Sequence, residues 1–531
     1  MAANGPELHR RALAECVAAA SPPGPHARCR ARTDVARIWC AVRQNGPGGR
    51  ISGVFSQIPA DSRKNLIPVR NRANLERPID SVSGALTVNE IIDRRPLSRF
   101  QLWTILLCGA VLILDGFDAQ TAGFLAPSIS ESLHIPINTF GRIFAASLFG
   151  LMIAAMVTGP IADRWGRKWT VVLSTIAFAI FATLSARAAT YNQLLILRFL
   201  TGLGLGGAMP NVVSLASEYS PRRLQRAVVA ALFAGMPIGG FVCGMASSAM
   251  LPRWGWRSVF LLGGLFPLIV SLLLIVALPE SVRFLVIRGR DPRRILRIMT
   301  RIAPFTPVHT IGPAGTPAET RSGMAIARLF TEGRAPGTVL LWIPFFMNLL
   351  ILYFVVSWLP ALLRQSGMSV VAGVTASALF SLGGIAGSLA EGPLMNLCGA
   401  YLLLLIEFAL CALFIGSLAF VSTSYALVCT AAFLLGFCVT AAQAGINALA
   451  AGFYPTSIRS TGVGWALGIG RIGSIVGPLF AGALLLLRWS PQQIFLAGAV
   501  PACCAALAVL ASYRLKGNAN VYRAELGTNL M

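Results

Sequence analysis

The stretch GPIADRWGRKWTVV, from Gly159 to Val172, decides how the rest of the chain is read. At an offset of 233 it returns as GPLMNLCGAYLLLL, Gly392 to Leu405. Gly159, Pro160 and Gly166 recur as Gly392, Pro393 and Gly399, while Asp163 becomes Asn396 and the basic residues are lost. Later landmarks repeat too: Asn211 ahead of Glu218-Tyr219-Ser220-Pro221, and Asn447 ahead of Phe453-Tyr454-Pro455. Two homologous halves explain this most economically, and such internal repeats are typical of membrane transporters.

On either side of both copies lie apolar runs. A bilayer core of about 30 Å needs about 20 apolar residues per helix. Ile143–Ala162, Ala227–Pro252, Ser258–Pro279, Ala335–Leu363, Gln365–Ala390 and Trp489–Tyr513 meet this without a charge or a histidine. Phe408–Ile458 is long enough for two helices, with Ser422-Thr423-Ser424 as the turn. Adding the runs broken by a single charge gives twelve spans, centred near residues 114, 150, 177, 203, 238, 268, 349, 382, 411, 437, 472 and 502. The expected fold is an all-α membrane protein of twelve transmembrane helices in two six-helix halves. Its divisions are a disordered basic extension (1–85), a first bundle (86–282), a central loop (283–336), a second bundle (337–513) and a tail (514–531).

Composition agrees. Of 531 residues, 12% are charged, against about 25% in soluble proteins, and the mean hydropathy is +0.70. The formal charge of +24 would ordinarily raise nucleic acid as a partner. Instead it follows topology. With the N-terminus inside, the inner loops between spans carry 17 basic residues and the outer loops five, which satisfies the positive-inside rule and places both termini in the cytoplasm. Residues 1–85 are Arg-rich without a useful apolar run; a solvated tail, a transit peptide and a misassigned leader all fit, and no function is assigned to them. There is no CxxC pair for a metal or redox site, and the four histidines (His9, His26, His134, His309) lie outside the long apolar runs. No cofactor is expected, and no nucleophile–base set suggests an enzyme.

The loop after span 2 resembles the signature of the major facilitator superfamily, which Gly159, Asp163, Arg164, Gly166, Arg167 and Lys168 match in full. Within it the chain is similar to the aromatic acid:proton symporter family. The shared features are DGFD (Asp115 to Asp118) in span 1 and RFLTGLGLGGAMPN (Arg198 to Asn211) in span 4. LPES (Leu278 to Ser281), WLP (Trp358 to Pro360) and QAGINALA with GWALGIGRIGS in spans 10 and 11 complete the set. The resemblance covers about residues 86–513 and departs at Asn396-Leu397, where the family usually keeps an Asp-Arg pair. It implies import of an aromatic carboxylate such as a hydroxybenzoate, protocatechuate or benzoate, coupled to protons, by a monomer of the inner membrane. Two other functions stay open: a proton antiporter exporting drugs or metabolites, and a sensor that binds aromatic acids without moving them.

Ionisable groups inside a bilayer are functional by default. Asp115 and Asp118, at i,i+3, share one face of span 1. Their mutual repulsion and burial favour a protonated carboxyl on at least one, the requirement for proton coupling. Arg198 is the expected counter-charge. From the outer surface Asp118 lies roughly 13 Å deep and Arg198 roughly 10 Å, so neighbouring helices would pair them, as a coupling element or as a static tie. Arg471, about 16 Å from the inner surface of span 11, is the candidate for the substrate carboxylate, since a guanidinium binds one bidentately; the alternative is that it caps a neighbour's carbonyls. Gln443 and Asn447, one turn apart on span 10, suit a ring hydroxyl or an interhelical hydrogen bond. Tyr353 and Trp358 are candidates to flank the ring. Gly159, Asp163, Arg164, Gly166, Arg167, Glu218 and Arg459 form the expected inner gate. Glu391 and Glu407 match no motif.

Overall fold

The computed structural model describes residues 88–93, 96–288, 292–302, 327–331, 333–420, 424–455 and 458–528. The extension expected to be disordered, 1–85, lies outside them, as does much of the central loop.

The described residues form helices and connecting turns, as a chain in hydrocarbon must if its backbone polar groups are to be satisfied. The spans are α1 (Arg99–Leu133), α2 (Phe140–Trp165), α3 (Arg167–Ser185) and α4 (Tyr191–Glu218). Next comes Arg222–Ala277, one run that breaks at Gly255, where φ is 69°. The break divides it into α5 before that glycine and α6 after it. The second half holds α7 (Ala335–Gln365), α8 (Val370–Cys398), α9 (Ala400–Leu418), α10 (Tyr425–Phe453), α11 (Arg459–Leu486) and α12 (Pro491–Thr528). The twelve spans are therefore present. Ser98, Thr190 and Ser369 cap α1, α4 and α8 through their side chains.

The repeat is structural as well as sequential. Gly166 and Gly399, paired by the offset of 233, both adopt positive φ (100° and 78°) and break α2 from α3 and α8 from α9 at the same point. A side chain there would be strained. In the first half α1 packs on α5, α2 on α4 and α3 on α6; in the second α7 packs on α11, α8 on α10 and α9 on α12. Several of these crossings are close enough to exclude a methyl group. A Cβ on Gly202 of α4 would fall 1.9 Å from the Ser147 carbonyl oxygen, and one on Gly436 of α10 would fall 1.8 Å from that of Phe380. Ser147 and Phe380 are again 233 apart.

The halves meet through α1 with α7, α2 with α11, and α5 with α8. At the end away from the Gly159–Val172 motif, one buried cluster runs through both halves, including Phe124, Phe140, Phe144, Trp358, Leu362 and Leu435. At the motif end the described residues form two separate clusters. One, with Val212, Leu215 and Tyr219, belongs to the first half, and the other, with Phe345, Phe408 and Tyr454, to the second. The protein is closed at the far end and parted at the motif end.

Close helix crossings make a direct test. Gly116→Ala would place its Cβ 2.0 Å from the Met236 carbonyl oxygen, whereas a Cβ on Gly416 meets nothing within 4 Å. Gly116→Ala is expected to cost about 1–3 kcal/mol of stability and Gly416→Ala none, read as melting temperatures of the purified proteins in detergent.

Candidate functional site

The site lies where the fused far-end core gives way to the parted end. Here α1 presents Asp115 and Asp118, both 3% exposed. Asp118 Oδ1 accepts from Arg198 Nη1 at 2.9 Å, the pairing that the depth count from the sequence allows for neighbouring helices. Arg198 is 1% exposed and its Nη2 also donates to Ser185 Oγ (2.8 Å) on α3 and Thr201 Oγ1 (3.0 Å) on α4. Its guanidinium lies 4.8 Å from the centre of the Phe260 ring on α6. One arginine thus gathers four spans.

Asp115 differs. It lies one turn closer to the motif end, and neither carboxyl oxygen has a hydrogen-bond partner among the described residues. The charges near it are Arg471 of α11 and neighbouring Asp118. Arg471 also acts on the Tyr353 hydroxyl of α7, and its Nη2 donates across the halves to Met209 Sδ at 3.3 Å. A thioether is a weak acceptor, and among the described residues no carboxylate lies within ion-pair distance of Arg471. Its donors are therefore available to an incoming anion.

A cavity of about 30 Å³ is walled by Asp115, Asp118, Arg198, Tyr353, Ser357 and Ser147 among others; Arg471 is not in its wall. That is room for a water molecule, whereas a cavity that takes benzene measures about 150 Å³.

The remaining candidates distribute unevenly. Gln443 and Asn447 belong to a polar string, Asn348 Nδ2 to Gln443 Oε1 (2.9 Å) and Gln443 Nε2 to Asn447 Oδ1 (3.4 Å), that links α7 to α10. Trp358 is fully buried away from this cavity, its indole N–H donating to the Pro478 carbonyl at 3.0 Å and its ring meeting Phe144 edge-on at 5.5 Å. In the gating set, Arg167 pairs with Glu218, whose other oxygen accepts from Ser281. These contacts join α3, α4 and the end of α6, so they brace one half. Asp163 and Arg164 are exposed at the end of α2, and Arg288 donates to the Asp163 carbonyl. Arg459 stands apart, donating to the Tyr454 carbonyl in its own half. A Cβ on Gly159 meets nothing within 4 Å, and one on Gly166 would strike the Glu280 carboxylate.

The sequence reading missed two groups and left a third without a role. Ser381 of α8 donates to Gln120 of α1 across the halves at 3.0 Å, and Asn348 anchors the α7–α10 string. A lone amide in an apolar span was the available signal for both. Glu391 and Glu407, left without a motif, lie against each other between α8 and α9, 2% and 3% exposed. By the offset of 233 they stand where the first half has Thr158 and Ser174.

A model of the Major Facilitator Superfamily matches residues 108–423 and 371–525. This chain belongs to that superfamily. It is a transporter rather than an enzyme. The 4-hydroxybenzoate transporter PcaK of Pseudomonas putida is 39% identical to it over 435 residues, covering 81% of this chain and 96% of that protein. A gallate transporter of the same species is 37% identical, covering 82% and 97%. The benzoate transport protein of Acinetobacter baylyi is 32% identical, covering 79% and 91%. Among solved structures, the partially occluded inward-open xylose transporter XylE of E. coli shares the fold. Its TM-score is 0.62 at 15% identity, covering 78% of this transporter and 98% of that chain.

The buried pair can be tested by itself. Removing one partner of a buried ion pair typically costs about 3–5 kcal/mol, whereas replacing both by apolar groups is often tolerated. Asp118→Leu should therefore sharply reduce folded protein in the membrane, and Asp118→Leu with Arg198→Met should restore much of it, as judged by gel filtration and melting temperature.

Proposed function

We propose that this protein imports aromatic carboxylates of the hydroxybenzoate, protocatechuate or benzoate class together with protons, by alternating access. The observation that carries the reading is Arg471, a half-buried guanidinium at the seam of the two halves, facing Asp115 and Tyr353 without a carboxylate partner within reach. Relatives named for 4-hydroxybenzoate, gallate and benzoate support the substrate class. The protein sits in the inner membrane as a monomer, with the basic motif end and both termini in the cytoplasm.

The charges explain the coupling. In the empty carrier, ionised Asp115 and Arg471 compensate each other. A substrate carboxylate arriving at Arg471 neutralises the cation that holds Asp115 ionised, and Asp115 takes a proton. The loaded carrier is again locally neutral: substrate with Arg471, and a protonated Asp115. Only these two forms can reorient cheaply, since an uncompensated charge in the membrane interior is costly. Asp118 is paired with Arg198, and the Gln443–Asn447 string offers hydrogen bonds to a ring hydroxyl. One proton with a monovalent acid moves no net charge. A second would add about 2.3 kcal/mol per 100 mV.

Reorientation needs the motif end to close. At the far end Gly141 of α2 and Gly482 of α11 touch, each glycine's Cβ position lying 3.3–3.4 Å from the other's Cα. Counting 18 residues down each helix reaches Gly159 and Gly464, and 18 residues make five full turns. Both therefore lie on the contacting faces, and neither has a neighbour within 4 Å. In the alternate state these two glycines meet, and Asp163 and Arg164 come against the start of α11.

Uptake of radiolabelled 4-hydroxybenzoate with and without a protonophore tests the reading. The wild-type protein accumulates the acid until the gradient is collapsed. Asp115→Asn is expected to lose net uptake but keep exchange of internal for external substrate, because its loaded form stays neutral and its empty form does not. Arg471→Ala loses both. Protonophore-sensitive uptake by Asp115→Asn at the wild-type rate sinks the coupling scheme. Binding without uptake by the wild type would indicate a sensor, and neither across a panel of aromatic acids would remove the substrate class.

Gly159→Leu and Gly464→Leu are expected to fold normally, since their Cβ positions are open here, and to cut the transport rate at least tenfold while leaving substrate binding from the motif side intact.

A further inference from the structure

Beside the gate network, on the outer surface of the first half, lies a second cavity that the transport scheme does not use. The short helix Pro292–Ile302, PRRILRIMTRI, lies against the motif end of the bundle. Ile295, Met299 and Ile302 are buried in its core, and Arg294, Arg297 and Arg301 project from the exposed side. These three arginines and Lys168, at the start of α3, wall a cavity of about 200 Å³, together with Trp169 and the end of α6.

Charge here is only partly compensated: the four cations of the wall face one acidic residue, Glu280, whose charge opposes that of Lys168. Among the described residues, no carboxylate lies within 4 Å of Arg294, Arg297 or Arg301. Glu280, the acidic residue of the wall, spends its Oε1 on the backbone N–H groups of Arg167 (2.8 Å), Lys168 (3.1 Å) and Ser281 (2.9 Å). Lys168 donates one hydrogen bond, to the Ile275 carbonyl at 2.7 Å, leaving its other donors for a ligand. Lys168 and Arg294 lie near enough to act on each other as like charges. Four cations around a cavity ask for an anion, and guanidinium groups suit the oxygens of a phosphate.

The walls identify which phosphate. On the α6 surface leading out of the cavity, Val276 is 85% exposed and Leu272 59%, and Trp169 of the cavity wall is exposed too. In a membrane protein such apolar residues face acyl chains, and tryptophans mark the headgroup level. The cavity opens at that boundary, with an apolar track on its lipid side and basic groups within. We propose that it binds the headgroup phosphate of an anionic phospholipid whose acyl chains lie along Leu272 and Val276. Basic pockets of this kind at the cytoplasmic face are suited to such headgroups. The bound lipid would clamp Pro292–Ile302 to the start of α3.

The test uses the delipidated full-length protein and reads binding by native mass spectrometry and by thermal shift, neither of which requires transport. The probes are short-chain phosphatidylglycerol, phosphatidylcholine with the same chains, and inorganic phosphate. Phosphatidylglycerol is expected to bind and to raise the melting temperature, with the other two ineffective at the same concentration. Arg294→Ala/Arg297→Ala/Arg301→Ala, which alters only exposed side chains, should weaken phosphatidylglycerol binding roughly 100-fold, at about 1 kcal/mol per basic residue. Arg187→Ala/Arg253→Ala/Arg257→Ala, which removes the same charge at the far end, should leave binding unchanged. Equal binding of phosphatidylcholine, equal weakening in both triple variants, or full stabilisation by inorganic phosphate would each overturn the proposal, the last by showing a free-anion site.

Discussion

Arg198 is the point on which the first half hangs. A guanidinium buried to 1% exposure is tolerable only if its charge is matched, and the chain does this with Asp118 on α1, helped by Ser185 on α3 and the ring of Phe260 on α6; Nη1 and Nη2 have partners, while Nε has none among the described residues. That pair is complete within one half, although Asp118 also lines the central cavity beside Tyr353 and Ser357 of the other half. The division of labour between two carboxylates a single turn apart follows. One is tied down, and its neighbour, facing the seam, answers to a cation in the opposite half.

The two halves keep one scaffold and diverge in their charges. Their close crossings fall at matching positions, as the contacts of Gly202 with Ser147 and of Gly436 with Phe380 show. Yet the first half carries the Arg167–Glu218–Ser281 brace at the motif end, and the second has Asn396 and an exposed Leu397 at the corresponding turn. Conversely, the hydroxyls of Thr158 and Ser174 are replaced by the buried carboxyls of Glu391 and Glu407. Backbone approach is constrained by sterics wherever helices cross, while side chains off the crossing are free to specialise.

Much of this was legible in the sequence because the bilayer imposes lengths. Span number follows from apolar runs, and the Asp118–Arg198 pair from counting residues down two neighbouring helices. What could not be read depends on lateral position. Trp358 looked like a wall for an aromatic ring, but its indole N–H faces the Pro478 carbonyl on a helix 120 residues away. Gln120 with Ser381 and Asn348 with Gln443 meet across helices whose relative rotation no local pattern reports. The gate residues were expected to form an inner gate, with no sign in the sequence of which spans they would join; Arg167 and Glu218 join spans of the same half. Spacing along a helix gives a residue's depth and face but not which neighbour that face meets.

The far-end seal is built mostly from apolar side chains: Phe124, Phe140, Phe144, Trp358 and their neighbours, with Arg364 and Glu131 an exposed ion pair at its rim. Opening that end brings those surfaces to water, so its cost is largely hydrophobic. Such a cost falls on cooling, because apolar burial near room temperature is driven by the entropy of water. Under the alternating access proposed above, if the far end exposes more apolar surface on opening than the motif end buries on closing, the empty protein would spend more of its time in the cold with the far side open, so the direction in which it waits for substrate would shift with temperature.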